Sequence, residues 1–328
     1  MTVLDVRDLS VDFATEDGAL QALKKVELTV PKNRIVGVVG ESGCGKSTLI
    51  NAILGLLADN GSVTSGRILF EEGQDLAHLD GAAMRALRGR KIATVFQDPM
   101  GALNPVLSVG RQMRDIQYRS GLSRREKDTR SVAMLRKVRI PDPEKRLAQF
   151  PHEFSGGMKQ RIAIAMALMM EPSLLIADEP TTALDATLEV TIIELLKELQ
   201  QQIGCSVLFI SHHLGVIAEL CDEMIVMYAG EVVERGTTRD IFHNARHPYT
   251  RKLLACDPAR LSHRAARLPT IPGTLPDLRR RPAGCVFQAR CEIADGVCST
   301  MPPDAVVTEG HVARCWHTSE ALAVEATA

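Results

Sequence analysis

Short apolar runs punctuate this chain and predict its strands: Ile35–Val39, Ile92–Phe96, Leu174–Ala177, Val207–Ile210 and Met224–Tyr228. Between them the pattern turns helical. Leu49–Leu54 and Ile162–Leu168 read as helices, a long amphipathic helix runs from just after Asp185 to about Ile203 and stops near Gly204, and Leu214–Leu220 forms another. The amino-terminal part is strand-rich, with Val3–Phe13, Lys25–Val30, Arg34–Val39 and Arg67–Phe70. A turn at Asp59-Asn60-Gly61-Ser62 precedes the last of these. From Val109 to about Leu147 the sequence is helical and charged, an insertion between the two halves of the strand–helix core. There is no internal repeat and no low-complexity tract.

Composition changes this picture little. The 328 residues suffice for one large domain and a small one; 45% are hydrophobic and 24% charged, as in soluble globular proteins. A net charge of -1 argues against nonspecific attraction to nucleic acid. The longest apolar run, Ile162–Met170, is too short to cross a bilayer. The first eight residues, Met1 to Asp8, have no signal-peptide character.

The candidate chemistry begins after the run Ile35–Val39. There stands Gly40-Glu41-Ser42-Gly43-Cys44-Gly45-Lys46-Ser47-Thr48, followed directly by a predicted helix. Strand, glycine loop and helix in that order wrap a triphosphate in backbone N–H groups at a helix N-terminus. Lys46 reaches the β- and γ-phosphates, and Ser47 offers its hydroxyl to Mg²⁺. A second strand, Leu174–Ala177, ends in Asp178-Glu179. Asp178 is placed for Mg²⁺, and Glu179 for polarising an attacking water as general base. Acids where a strand meets solvent are common, so the pairing with the glycine loop carries this reading. Between the two lies Phe154-Ser155-Gly156-Gly157-Met158-Lys159-Gln160-Arg161, which opens the Ile162–Leu168 helix. Ser155-Gly156-Gly157 is a second anion site at a helix start, suited to another subunit's nucleotide. On spacing alone it is an ordinary serine cap.

The order glycine loop, Gln97, Ser155-Gly156-Gly157, Asp178-Glu179, His212 resembles the ATP-binding-cassette (ABC) ATPases over residues 1 to about 255. That resemblance implies a P-loop α/β fold with a RecA-like core, an antiparallel β subdomain and a helical subdomain at about residues 100–170. It also implies head-to-tail dimers that sandwich two ATP molecules. Phe13 then stacks on adenine, where a core phenylalanine is the plain alternative. Gln97 contacts Mg²⁺ and the attacking water. Ala183-Leu184-Asp185 crosses the dimer interface, and His212 contacts the γ-phosphate, where a surface histidine is the plain alternative. Two positions depart from the family: the signature opens on Phe154 and has Met158, and His213 replaces the usual acid after the switch histidine.

Asp98-Pro99-Met100-Gly101-Ala102-Leu103-Asn104-Pro105 and His247-Pro248-Tyr249-Thr250 resemble the dipeptide and oligopeptide importer branch. Without that resemblance the second reads as a helix start with proline at its first position and an exposed tyrosine. Residues 1–256 are thus expected to form the cassette. A Pro- and Arg-rich extended linker is expected at 257–284, and a small Cys-rich domain at 285–328. The tail's cysteines, Cys285, Cys291, Cys298 and Cys315, follow C-x5-C-x6-C-x16-C. The other four, Cys44, Cys205, Cys221 and Cys256, are scattered thiols. Clustered cysteines in a reducing compartment argue for metal over disulfides. Wide gaps without paired knuckles suit a [4Fe–4S] cluster, with Zn²⁺ or no metal as alternatives. The importer resemblance also implies such a cluster.

The expected function is an ATPase driving import of di- or oligopeptides. Alternatives are import of another solute, such as a nickel complex or an oligosaccharide, and a soluble cassette ATPase without a permease. The resemblance implies a related second ATPase chain, forming a heterodimer with a homodimer as alternative. It further implies two membrane permease subunits, a solute-binding protein, no nucleic acid, and a peripheral place on the cytoplasmic face of the inner membrane.

Overall fold

The computed structural model describes residues 1–181, 185–257 and 269–318. Ala183 and Leu184, expected at a dimer interface, lie outside these residues, as does linker segment 258–268. The chain opens with strands β1 (Thr2–Thr15), β2 (Gly18–Pro31) and β3 (Ile35–Val39), then helix α1 (Lys46–Leu54), β4 (Gly61–Phe70) and β5 (Gln74–Asp75). Next come α2 (Gly81–Leu87), β6 (Ile92–Val95), α3 (Pro99–Ala102), α4 (Val109–Ile116), α5 (Arg124–Lys137) and α6 (Pro143–Arg146). Helix α7 (Gly156–Leu168), β7 (Leu174–Asp178), α8 (Ala186–Ile203) and β8 (Ser206–Ile210) follow. The rest holds α9 (Leu214–Leu220), β9 (Glu223–Tyr228), β10 (Glu231–Thr237), α10 (Thr238–Asn244) and α11 (Pro248–Ala255). Two tail strands, β11 (Asp304–Thr308) and β12 (His311–Arg314), complete the order.

The chain divides into two compact units. One comprises Asp80–Phe209 with Pro31–Arg34 and Met1; the other holds Thr2–Val30, Ile35–Leu79 and the chain from Ile210 onward. In the first unit β6 and β7 pair in parallel, Ile92 opposite Leu174, and β8 flanks β7. All five residues of β8 are buried, which explains its unbroken apolar run: a strand covered on both faces shows no alternation. The helices of the inserted region are locally capped. Ser123 and Glu126 form a reciprocal capping box on α5, and Ser108 caps α4. Helix α8 starts on the Asp185 carboxylate and stops at Gly204 in the left-handed conformation, as its sequence predicts.

The second unit contains two sheets. The antiparallel one runs β2-β1-β4-β5, with Leu4 opposite Phe70 and Phe13 opposite Gly61. Strands β2 and β4 begin earlier than the apolar pattern predicts, at Gly18 and Gly61 rather than Lys25 and Arg67. Ladder pairing with β1 recruits polar residues that have no apolar face of their own, so Gly61 and Ser62 belong to β4, not to the preceding turn. The second sheet joins β3 in parallel to β9, then continues antiparallel through β10 and β12 to β11.

The tail is therefore part of this unit's sheet, with Ala313 opposite Glu234. Two carboxylates on β10 receive it. Glu231 takes a 2.8 Å bond from Arg281, whose side chain is only 7% exposed. Glu234 faces His311 at 2.8 Å, both fully buried. Residues 269–284 contain no helix or strand, as their prolines predict.

Glu234 also accepts the backbone N–H groups of Arg246 and His247, which fixes the entry to α11. His247 caps that helix: its Nδ1 accepts the Tyr249 N–H at 3.1 Å, so the ring proton sits on Nε2. Burial pushes the His247 pKa down to about 4 from 6.5, against the pull of Glu234. The unfolded chain binds a proton below about pH 6.5 that the folded chain refuses until about pH 4. Stability is thus complete above pH 6.5 and declines as the pH falls through that window. Thermal melting from pH 7 to 4 should show this acid limb. In His247→Asn, which keeps a cap but cannot titrate, the limb should be flatter; an equally steep limb would refute the assignment.

Candidate nucleotide site

The glycine loop lies in the second unit, between β3 and α1. Gly40 has φ +154°, and a Cβ there would stand 2.2 Å from the Met227 carbonyl oxygen. The loop thus passes so close to β9 that only glycine fits. Gly45, in the left-handed region, is the N-cap of α1 and brings no side-chain bond, and the first turn holds no acid. The N–H groups of Lys46, Ser47 and Thr48 thus start a helix whose N-cap residue supplies no side-chain cap, the arrangement that takes an anion. Lys46 is largely buried and donates to the carbonyl oxygens of Gly40 at 2.7 Å and Glu41 at 3.1 Å. Ser42 and Gly43 form the exposed turn of the loop, while Cys44 is buried behind it with its thiol pKa raised by that burial.

Glu41 is held at three points. Its N–H donates to the Tyr249 hydroxyl at 2.9 Å, its carbonyl accepts from Lys46, and its carboxylate pairs with Arg290 at 2.8 Å. Phe13, near the end of β1, is half-buried, and a Cβ on facing Gly61 would lie 2.6 Å from its ring. The ring thus occupies the space that a side chain at Gly61 would take. His212 is exposed after β8, edge-on to His213 at 4.3 Å between ring centroids.

The first unit carries the other set. Asp178 ends β7, and Glu179 follows with φ +45°, a left-handed conformation uncommon for a residue with a side chain. Gln97, just after β6, donates to the Glu179 carboxylate at 3.0 Å. Parallel pairing of β6 with β7 brings these two strand ends together. Ser155 caps α7, accepting the Met158 N–H at 3.4 Å. Gly156 has open space where a Cβ would be, and Gly157 packs against Leu188. Asp185 is exposed and engaged in capping α8 through the Leu188 N–H, at 3.0 Å.

The four tail cysteines surround one cavity, which His247, Phe287, Trp316 and His317 also line. Burial and the neighbouring thiols push Cys285 up to about 11, and burial raises Cys315 to about 11 as well. A second donor set overlaps this one: the ligand atoms of Asp295, Cys298 and His317 lie within 4.8 Å of one another. Sequence reasoning missed Arg290, Tyr249 and Met227 as supports of the loop. Only the His247-Pro248-Tyr249-Thr250 motif hinted at one of them, and Tyr249 is fully buried rather than exposed.

Comparison with known proteins agrees with this geometry. Residues 23–182 match the family model described as ABC transporter. Over 98% of the chain and 96% of the relative, 47% of residues are identical to a probable peptide ABC transporter ATP-binding protein of Sinorhizobium fredii. The chain belongs to the ABC transporter ATP-binding family. The chain is equally similar to the dipeptide transport ATP-binding protein DppD of Bacillus subtilis, 47% identical over 96% of the chain and 94% of that protein. Residues 233–298 match the model described as oligopeptide/dipeptide transporter, C-terminal region. Among solved structures, a dimeric ATP-binding cassette in a post-hydrolysis state bound to ADP and Pi superimposes with TM-score 0.63. It is 28% identical and covers 72% of this chain and 99% of its own. The cassette is thus an ATPase, and its fold is that of the ABC ATPases.

Gly40→Ala tests the loop's support. A methyl group at 2.2 Å from the Met227 oxygen forces the loop off β9. The expected result is a loss of about 1–3 kcal/mol in denaturant unfolding, together with weakened ATP binding. Unchanged values for both would show that the loop does not depend on this close approach.

Proposed function

We propose that this chain is the ATP-hydrolysing subunit of a membrane importer for di- or oligopeptides. The observation that carries the reading is a similarity to peptide-importer ATP-binding proteins that runs through the tail as well as the cassette. Nickel complexes and oligosaccharides are the neighbouring cargo classes.

In this reading the α1 N-terminus and Lys46 hold the triphosphate, with Gly40 through Thr48 wrapped around it and Phe13 under the adenine. Ser47, Asp178 and Gln97 are the residues that would hold Mg²⁺, which would supply neutralisation of phosphate charge. Glu179 accepts the proton of the attacking water, and its bond from Gln97 fixes the carboxylate's orientation. His212 donates to the γ-phosphate. Ser155, Gly156, Gly157 and Asp185 serve the nucleotide of a second, related ATPase subunit; a heterodimer is favoured over a homodimer. Two permease subunits and, through them, a solute-binding protein complete the assembly. Phe96, Val106, Tyr118 and Phe150 are large apolar side chains exposed in the first unit, contact material for a permease loop. No helix among the described residues is long and apolar enough to cross a membrane. In this reading the permease subunits hold the chain peripherally on the cytoplasmic face of the inner membrane.

The domain division follows the same reading: cassette at 1–256, linker at 257–284 and Cys-rich region at 285–328. Four thiols around one cavity fit an iron–sulfur cluster held by Cys285, Cys291, Cys298 and Cys315. Zinc on Asp295, Cys298 and His317 is the rival donor set. Anaerobic purification decides between them. About four iron per chain with broad visible absorption is expected; stoichiometric zinc without iron would overturn the cluster.

The base assignment has its own test. Glu179→Gln should bind ATP while hydrolysis drops about 10²–10⁴-fold. Turnover within a few-fold of wild type would remove Glu179 from that role.

A further inference from the structure

We propose that Arg290, a tail residue, is a positioning residue for ATP: it grips and neutralises Glu41 and so keeps the glycine loop in its phosphate-receiving shape. The inference rests on the ATP reading above and adds to it a residue outside the nucleotide motifs.

Every N–H of the Arg290 guanidinium has an acceptor. Nη1 donates to Glu41 Oε2 at 2.8 Å and to the Tyr228 hydroxyl at 3.2 Å; Nη2 donates to Glu41 Oε1 at 3.0 Å and to the Ile271 carbonyl at 2.9 Å; Nε donates to the Pro272 carbonyl at 2.8 Å. The guanidinium also lies over the Tyr228 ring, 5.6 Å from its centroid, and 6.0 Å from that of Phe287. Its side chain is 5% exposed and that of Glu41 28%. A planar fork with five donors is required here, and a lysine could not reproduce it. The linker carbonyls of Ile271 and Pro272 aim the fork, and the short turn Gln288–Arg290 carries it between Cys285 and Cys291.

Glu41 is the only acidic residue between Gly40 and Thr48. A loop that receives a polyphosphate is a poor place for an unpaired carboxylate, because like charges repel most where water is scarce. The bidentate pair removes that repulsion. It acts on the same residue whose carbonyl accepts Lys46 and whose N–H is fixed by Tyr249. Arg290 and Lys46 are thereby connected through the backbone of one loop residue.

The test measures equilibrium binding of ATP with Mg²⁺ to the full-length chain, and KM and kcat of its ATPase activity. Arg290→Gln should weaken ATP binding and raise KM by about tenfold, with kcat within about twofold of wild type. Adding Glu41→Gln to that variant should recover most of the loss, because it removes the orphaned carboxylate. A merely structural role predicts the reverse, since the double variant deletes further bonds. Should Arg290→Gln fail to fold, as judged by thermal melting, Arg290→Lys keeps the charge without the fork and should give an intermediate affinity. Wild-type affinity in whichever single variant folds, or a double variant no tighter than Arg290→Gln, would overturn the proposal. If the wild-type chain itself failed to bind ATP, the ATP reading would fall instead, so the two failures are distinguishable.

Discussion

A phosphate-binding loop must leave its N–H groups unspent, and this constraint governs the second unit. Backbone donors that pair within the protein cannot bind a ligand, so the loop is fastened mainly through its carbonyl oxygens, the Glu41 side chain and close backbone approach. Its fastenings come from within the loop and from distant segments. Gly40 lies against the Met227 carbonyl, Lys46 ties the carbonyls of Gly40 and Glu41, and Tyr249 and Arg290 fasten Glu41. Each fastening comes from a different stretch of sequence, and two of them lie beyond residue 240.

This explains what could be read in the sequence and what could not. Gly40 to Thr48, Asp178-Glu179 and the Ser155 cap are local patterns, in which spacing along the chain fixes geometry. The buried strands announced themselves because burial on both faces leaves only apolar residues, as in β3 and β8. The early part of β4 was invisible, because Gly61 and Ser62 have no apolar signal and are strand only through pairing with β1. Arg290 was equally invisible. An arginine among several in a Pro-rich tail carries no local mark, and its partner lies 249 residues away.

The tail's attachment follows from buried charge. Glu231 and Glu234 are each about 1% exposed, and a carboxylate in that position is tolerated only when it is paired and hydrogen-bonded. Arg281 of the linker and His311 of the tail supply those partners. Cassette strand β10 thus carries acids that the cassette sequence before the tail does not fully satisfy. These pairs lie almost wholly out of water, so replacing one partner alone carries a cost that ordinary surface pairs do not. Linker and tail are consequently bound to the cassette by electrostatic necessity as well as by the β10–β12 ladder.

The same logic locates the cysteines. Phe287, two residues after Cys285, packs against Tyr228 and Tyr249 with ring centroids 5.1 and 5.4 Å away. Those two tyrosines hydrogen-bond Arg290 and the Glu41 N–H respectively. Three aromatic rings therefore stand between the thiols and the glycine loop. Close-packed interiors transmit displacement because they have no slack to absorb it. Cys285 and Cys291 flank the turn that carries Arg290, so the thiol cavity and the support of the loop share one short stretch of chain. The nucleotide loop is then shaped in part by a segment with no nucleotide motif of its own.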